Sequence, residues 1–449
     1  MLDNATELNL PVNHTPFKPL WSVGLMTGTV LDGNIDVALL KTDGEQIESF
    51  GRYTLAPYSI KTVELLREAV DQASRWQFEG AEPDIFAEAS RQLTIEQSDA
   101  VKHLVDDAGL SLDDIGVVGF HGQTVLHRPP QGGSVGQTRQ LSDGALMSQR
   151  LNVAVVDDFR SADMQLGGQG APLSAIYHKA LLSRLAMSGN HGNHGNHGNH
   201  GSHGSSSDRS DRSDRSDRSD PSDPSDPSDP GNPVMMGTSG SMAVLNLGGV
   251  ANLTWWDGHD RLIAFDTGPA NAPINDFVRE IAGLDYDKDG ALAAAGVVDE
   301  ERLAELLNHP YFNEPFPKSL DRFGFSWQMA EGLSLQDGAA LLTAFCAAAV
   351  SKALAQLPHH PERLIVCGGG RHNISLMNAL EQRTGVQVVT AEHAGWRGDA
   401  VEAECFAYLA VRTLQGMPNS FPGTTGAASP VCGGVIHRST SNNNQGLIS

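Results

Sequence analysis

Two segments of this chain, one opening each half, repeat a single pattern. Near the N-terminus WSVGLMTGT, VLDGN and IDVALL read as strand, glycine turn, strand. MAVLNLGG followed by VANLTWW repeats that order from Met242. Apolar runs of this length broken by glycine turns are hairpin signals. Helical periodicity follows in each half, over Ile60–Ala73 and Pro83–Asp107, then over Pro273–Ile281 and about Asp337–Leu357. Strands at Ile115–Phe120, Val153–Val156, LIAF, RLIVC and VQVVT alternate with helices at 171–187, HNISLMNALEQR and DAVEAECFAYLAVRTL. Alternation of this kind gives an α/β class, and the repeated hairpin predicts two related lobes around a cleft.

Between the halves the composition changes. GNHGNHGNHGNHGSHG, DRSDRSDRSDRSD and PSDPSDPSDPGNP follow one another with almost no apolar side chains. Such repeats bury too little surface to offset the entropy of ordering, so 188–240 is expected to be a disordered insertion. Five histidines in the first repeat suggest loose metal binding, but a flexible chain fixes no coordination geometry and repeat expansion is the better reading. Residues 1–18 and 438–449 are expected to be flexible ends. The division predicted is a first lobe at 19–165 and a second made of 166–187 and 241–437.

Of the 449 residues 40% are hydrophobic and 19% charged, as in a globular enzyme. A formal net charge of −23 repels phosphate backbones and anionic lipid, so neither nucleic acid nor membrane is an expected partner. The four cysteines, Cys346, Cys367, Cys405 and Cys432, form no CxxC pair and are expected to be free thiols. The N-terminus has neither a basic region nor an apolar one of signal-peptide type, and a cytoplasmic location is the expectation.

The chemistry points to the strand ends. Glycines at 28, 33, 248, 249, 268 and 368–370 each follow an apolar strand, where bare backbone N–H groups can approach phosphate oxygens. No GxxxxGK[ST] is present, which excludes a P-loop, and no GxGxxG opens a helix, which argues against a dinucleotide site. Asp32, in the first turn, has the place of a carboxylate that holds Mg²⁺ through water, though alone it reads as an Asp-Gly turn residue. Asp266 ends the strand LIAF and faces the cleft as a candidate general base, with an Asx-turn as the plain alternative. Asp157, Asp158 and Arg160 end another strand, as do His121 and Gln123 in HGQT.

Read together, GLMTGTVLDGNID, GFHGQTVLHRP, DDFRSADMQLGGQGAPL, LNLGGVANLT, FDTGPANAPIND, DKDG, PKSLDR, VCGGGRHN and FPGTTGA resemble the anhydro-N-acetylmuramic acid kinases. Motif order is kept across 20–187 and 241–437. The resemblance implies two lobes of the ribonuclease-H-like, actin-type ATPase fold around an ATP cleft. It implies ATP and Mg²⁺ as cofactors, a small-molecule amino sugar as substrate, and room for a homodimer. By the same resemblance Gly28, Thr29, Val30, Leu31, Asp32, Gly33 and Asn34 form a first phosphate loop, with Asp32 toward the metal. Asn246, Gly248 and Gly249 form a second, and Gly368, Gly369 and Gly370 an adenosine loop. Asp266 matches the catalytic base and Glu402 a carboxylate that assists it. His121, Gln123, Arg160 and Gln169 fall on the sugar side.

The reaction implied is hydrolysis of the 1,6-anhydro bridge coupled to phosphorylation of O6, within peptidoglycan recycling. The sequence departs from the common pattern at Val30, Ala270, DFRSAD and PKSLDR. Two rival readings are a sugar sensor without turnover and a kinase for a simple hexose or acetate. ADP release on adding the anhydro sugar and a substrate panel discriminate them.

Overall fold

The computed structural model describes residues 17–28, 33–130, 133–190, 241–322 and 324–439. The chain begins with β1 (Leu20–Met26), β2 (Asn34–Thr42) and β3 (Ile47–Pro57), an antiparallel meander. Helices α1 (Ile60–Trp76) and α2 (Ile85–Asp107) follow. Ser59 caps α1 by accepting from the backbone N–H of Thr62. In α2 the apolar set Phe86, Ala89, Leu93, Ala100, Val101 and Leu104 recurs at helical spacing and is buried. Next come β4 (Ile115–Phe120), the separate hairpin of β5 (Gln123–Arg128) and β6 (Gln137–Leu141), α3 (Gly144–Leu151), and β7 (Val155–Asp157). Two helices, α4 (Ser161–Gln165) and α5 (Ala175–Asn190), close this half.

The second half repeats the plan. The strands β8 (Met242–Leu247), β9 (Val250–Trp256) and β10 (Leu262–Pro269) form another antiparallel meander. Helices α6 (Asn271–Ala282), α7 (Ala291–Ala295), α8 (Glu300–Leu306) and α9 (Leu335–Leu354) lead to β11 (Arg363–Cys367). Then come α10 (Ile374–Thr384), β12 (Gln387–Thr390), α11 (Val401–Leu414), α12 (Pro422–Thr425) and β13 (Val435–His437).

The strand orders are β13-β7-β4-β1-β2-β3 and β10-β9-β8-β11-β12. In each sheet the first strand of the meander pairs in parallel with the next strand to arrive, β1 with β4 and β8 with β11. A further parallel strand then extends the sheet, β7 or β12. Set β13 aside and the two halves share one order, 3-2-1-4-5, which is the expected ribonuclease-H-like, actin-type arrangement. β13 pairs antiparallel with β7, so this C-terminal strand lies in the first sheet, although the sequence division counts it with the second lobe.

Helix α11 lies on the first sheet as well. A Cβ at Gly24 of β1 would stand 1.8 Å from the carbonyl oxygen of Ala403, and one at Gly119 of β4 would stand 2.0 Å from that of Phe406. Both positions therefore need glycine, because the helix backbone rests directly on the strands. One core cluster joins Ala38, Val117 and Val156 of the first sheet to Val244, Ala264 and Ile365 of the second, through Tyr177, Leu181, Ala403, Ala407 and Leu409. So α5 and α11 fill the space between the sheets. That packing sets the first turn of α11 at the strand ends where the expected site residues lie.

On its far face the second sheet packs on α9, whose Leu341, Leu342, Phe345, Ala349 and Val350 are buried. This is the one described helix long and apolar enough to cross a membrane, and it is a core helix with 83% of its apolar window buried. Helix α5 extends to Asn190, three residues into the segment expected to be an insertion; 191–240 lies outside the described residues. Strands β3 and β6 and the short helices at 288–330 were not predicted. Cys346, Cys367 and Cys405 are buried and Cys432 is exposed, all as free thiols.

Candidate active site

Asp266 sits in β10 opposite Asn252, and the register slips between Asp266 and Gly268. A bulge of this kind re-aims the side chain beside it. The segment Lys318–Leu320 holds Asp266 from both ends. The Asp266 N–H donates to the carbonyl of Lys318 at 2.9 Å, and the Leu320 N–H donates to Oδ2 of Asp266 at 2.8 Å. The Tyr311 hydroxyl donates to the Asp266 carbonyl at 2.6 Å. Burial pushes the Asp266 carboxyl up to about 7, against the opposing pull of the Leu320 N–H and the Arg160 charge.

Glu402 occupies the first turn of α11, where the helix N-terminus favours a negative charge. Asn246, at the end of β8, donates from Nδ2 to Oε1 of Glu402 at 2.7 Å. Burial raises this carboxyl too, opposed by the Asn246 bond and by Arg160. Arg160, following β7, is charge-coupled to both carboxylates. Its Nη1 donates to the carbonyl of Gly170 at 2.7 Å, while Nη2 and Nε point to Nε2 of His121 at 2.9 and 3.2 Å. The three residues from three distant motifs thus share one electrostatic environment.

His121 is buried with both ring nitrogens engaged, Nδ1 with the Gly122 carbonyl at 2.9 Å. Burial and the neighbouring guanidinium hold its pKa well below the ordinary value, so the ring is neutral. Gln123 is fully buried. Its Nε2 donates to the Thr124 carbonyl, and its Oε1 has no partner among the described residues. A buried acceptor left open this way fits a ligand donor. Gln169 accepts from the Ser319 hydroxyl at 3.0 Å through Oε1, and its backbone N–H donates to Thr425.

The glycines divide by what surrounds them. Among the described residues, a Cβ at Gly28 or Gly369 would meet nothing within 4 Å, and one at Gly248 only the Val250 carbonyl at 3.6 Å. These three turns leave open space against their backbone, as a phosphate or nucleoside requires. Gly368 and Gly370 instead pack inward. A Cβ on Gly368 would lie 2.3 Å from Asn246 Oδ1, and one on Gly370 would lie 2.6 Å from Leu247 Cβ. Gly249 accepts from the N–H of Ala270 at 3.0 Å and so joins the second loop to the start of α6. Gly33 is left-handed, at φ +89°, and its carbonyl accepts from Tyr58 at 2.8 Å; Asn34 opens β2. Thr29, Val30, Leu31 and Asp32 lie outside the described residues. Among the described residues no group of three His, Cys, Asp or Glu side chains is placed to hold a metal ion. A cavity of about 420 Å³ lined by Leu306, His309, Phe325 and Met329 contains none of the expected site residues.

The model of the family described as anhydro-N-acetylmuramic acid kinase matches residues 21–199 and 231–439. The chain belongs to this family. A relative of that name from Mesorhizobium japonicum is 55% identical over 419 residues, covering 93% of this chain and 99% of the relative. Another from Brucella anthropi is also 55% identical, with the same coverage. A glucokinase of the ROK family from Streptomyces griseus, solved with glucose and AMPPNP, is 12% identical with a TM-score of 0.34, over 87% of this chain and 99% of that one. As a member of a kinase family the chain is an enzyme that uses ATP.

Sequence reasoning missed the holders of Asp266. Tyr311 and Leu320 lie 45 and 54 residues along the chain from it. PKSLDR was visible as a motif, but no local periodicity connects it to the strand it grips.

Proposed function

We propose that this enzyme opens the 1,6-anhydro ring of 1,6-anhydro-N-acetylmuramic acid with water and phosphorylates O6 from ATP, giving N-acetylmuramic acid 6-phosphate and ADP. The observation that carries the reading is Asp266, a buried carboxylate pushed up to about 7, with Oδ2 held by Leu320 and a guanidinium nearby. In an anhydro sugar O6 carries no proton, so a base has no hydroxyl to deprotonate there and acts on water instead. Asp266 takes a proton from that water as its oxygen attacks the anomeric carbon. The C1–O6 bond breaks, O6 attacks the γ-phosphorus, and ADP departs with the electrons of the broken P–O bond. Glu402, half-buried and fixed by Asn246, assists from the α11 side.

Arg160 is the proposed receptor for the substrate's lactyl carboxylate, with Gln123 and Gln169 beside it and His121 orienting it. The turns at 28–34, 246–249 and 368–370 take ATP, since their open glycines give backbone N–H groups room at a phosphate. Bound Mg²⁺ neutralises charge on the phosphates, and Asp32 is the carboxylate proposed to hold it through water. The proposed setting is peptidoglycan recycling in the cytoplasm.

The test is the reaction in ¹⁸O-water with wild type and Asp266→Asn. Label on the anomeric oxygen and none in the phosphate supports the coupled mechanism, and the variant's turnover should fall by at least ~10²–10⁴. Label in the phosphate means water attacks ATP directly and overturns it.

A further inference from the structure

Among the described residues, the most enclosed carboxylate in the first half of the chain belongs to none of the groups assigned above. Asp163, in α4, is fully buried. Its Oδ1 accepts from the hydroxyls of Ser420 at 2.5 Å and Thr425 at 2.6 Å, and its Oδ2 accepts from the backbone N–H of Gly170 at 2.8 Å. All three partners are donors, which two carboxylate oxygens can accept and the NH₂ of an amide cannot. The loop after α4 wraps the group closely. The Gly168 N–H donates to the Asp163 carbonyl at 2.9 Å, and a Cβ at Gly168 would stand 2.1 Å from Asp163 Oδ2.

Gly170 links Asp163 to Arg160. Its N–H is held by Asp163, and its carbonyl accepts from Nη1 of Arg160 at 2.7 Å. One peptide-length step therefore separates the Asp163 carboxylate from the guanidinium. With His121 taking the Nε and Nη2 side, Gly170 is the second fixed point that sets the guanidinium plane. Those contacts use one N–H on Nε, one on Nη1 and one on Nη2, which leaves one N–H on each terminal nitrogen without a partner among the described residues. Two parallel donors are what a carboxylate accepts bidentately. The same carboxylate also ties Ser420 and Thr425 to the loop, and Thr425 receives the Gln169 N–H through its carbonyl. A single group thus fixes the carbonyl behind Arg160 and the backbone of Gln169.

We propose that Asp163 is a positioning residue for substrate recognition, acting through Gly170 to aim the free N–H pair of Arg160 at the carboxylate of the sugar. This rests on the reading of Arg160 as the carboxylate receptor, and the experiment separates the two. Steady-state kinetics with both substrates are measured for Asp163→Asn, Arg160→Ala and the double variant. Leaving a buried donor without its acceptor is expected to raise the Michaelis constant for the sugar about tenfold in Asp163→Asn, with that for ATP within about twofold. Added to Arg160→Ala, Asp163→Asn is expected to change the sugar constant no further, as two residues acting in one chain do. An equal rise in the Arg160→Ala background, or a parallel rise for ATP, overturns the proposal and leaves Asp163 a structural residue.

Arg160→Ala without effect on the sugar constant removes the carboxylate reading alone. The exchange rate of the Arg160 Nε–H, followed by NMR, then decides about Asp163. Faster exchange in Asp163→Asn supports the positioning role, and an unchanged rate ends it. Thr425→Val removes one of the three donors and keeps the carboxylate. It is expected to show the same pattern on a smaller scale, which keeps the test open should Asp163→Asn fail to fold.

Discussion

Nε2 of His121 accepts from two nitrogens of Arg160, Nη2 at 2.9 Å and Nε at 3.2 Å. An arginine can only donate, so the ring proton must sit on Nδ1, where the Gly122 carbonyl accepts it. A histidine expected from sequence on the sugar side is therefore a support for Arg160, the proposed carboxylate receptor. The expected outcome of His121→Phe is a rise in the sugar Michaelis constant of roughly tenfold, because the guanidinium loses a buried acceptor. His121→Gln, which keeps an acceptor near the Nε2 position, should recover most of the loss. Kinetics of the two variants check this, and equal defects would show that ring shape rather than acceptance matters.

The turn at 368–370, proposed to take the nucleotide, holds two glycines in different surroundings. Gly368 has φ +76° and no room toward Asn246, whereas Gly369 faces open space. Gly368→Ala should cost about 1–3 kcal/mol of stability, because φ 76° with ψ 170° is a conformation essentially confined to glycine, and should push Asn246 off Glu402. Gly369→Ala should leave the melting temperature nearly unchanged and weaken ATP binding, since its methyl group projects into the space proposed for the nucleotide. Thermal melts and ATP titrations of both variants distinguish the roles. Unchanged ATP affinity in Gly369→Ala would place the nucleotide elsewhere.

The repeated hairpin was legible in sequence because glycine turns between apolar strands are local signals. Helices α1, α2, α6 and α9 fell within a few residues of their expected bounds for the same reason. Strand β3 did not show, because IESFGRYTLAP lies at a sheet edge and is buried at Ile47 alone. Edge strands carry no strong alternation. Among the expected site residues, Asp266 and Arg160 were legible as strand-end groups, and Glu402 only through the family resemblance. Their mutual geometry was not. Gly24 and Gly119, which let α11 descend onto the first sheet, look in sequence like weak points of two strands. The contacts that place Glu402 beside Asn246 span 156 residues, and no local pattern encodes them.

The segment 200–230 lies outside the family match, which covers 21–199 and 231–439. Lengthening a surface connection several-fold changes closure entropy by only ~2 kcal/mol. Deletion of 200–230 should therefore leave turnover within about twofold and thermal stability equal or slightly higher. Activity and melting measurements on the shortened chain check this, and a large loss of either would give the repeats a part in folding or catalysis.

The raised Asp266 carboxyl links activity and stability to pH in opposite directions. As a base it works only when ionised, so kcat/KM should fall about tenfold per pH unit below about 7, and this limb should vanish in Asp266→Asn. For stability, the folded group holds its proton up to about 7, while the unfolded group releases it near 3.8. Between those values the folded state binds more protons than the unfolded one, so the contribution is fully present below the unfolded value and is lost as pH rises through the folded one. Going from pH 5 to pH 8, wild type should lose about 2–3 kcal/mol relative to Asp266→Asn, which has no carboxyl to titrate. Urea unfolding of both proteins at the two pH values measures the difference. A constant gap between them would mean that Asp266 is ionised throughout, and the base would then need another origin for its pH limb.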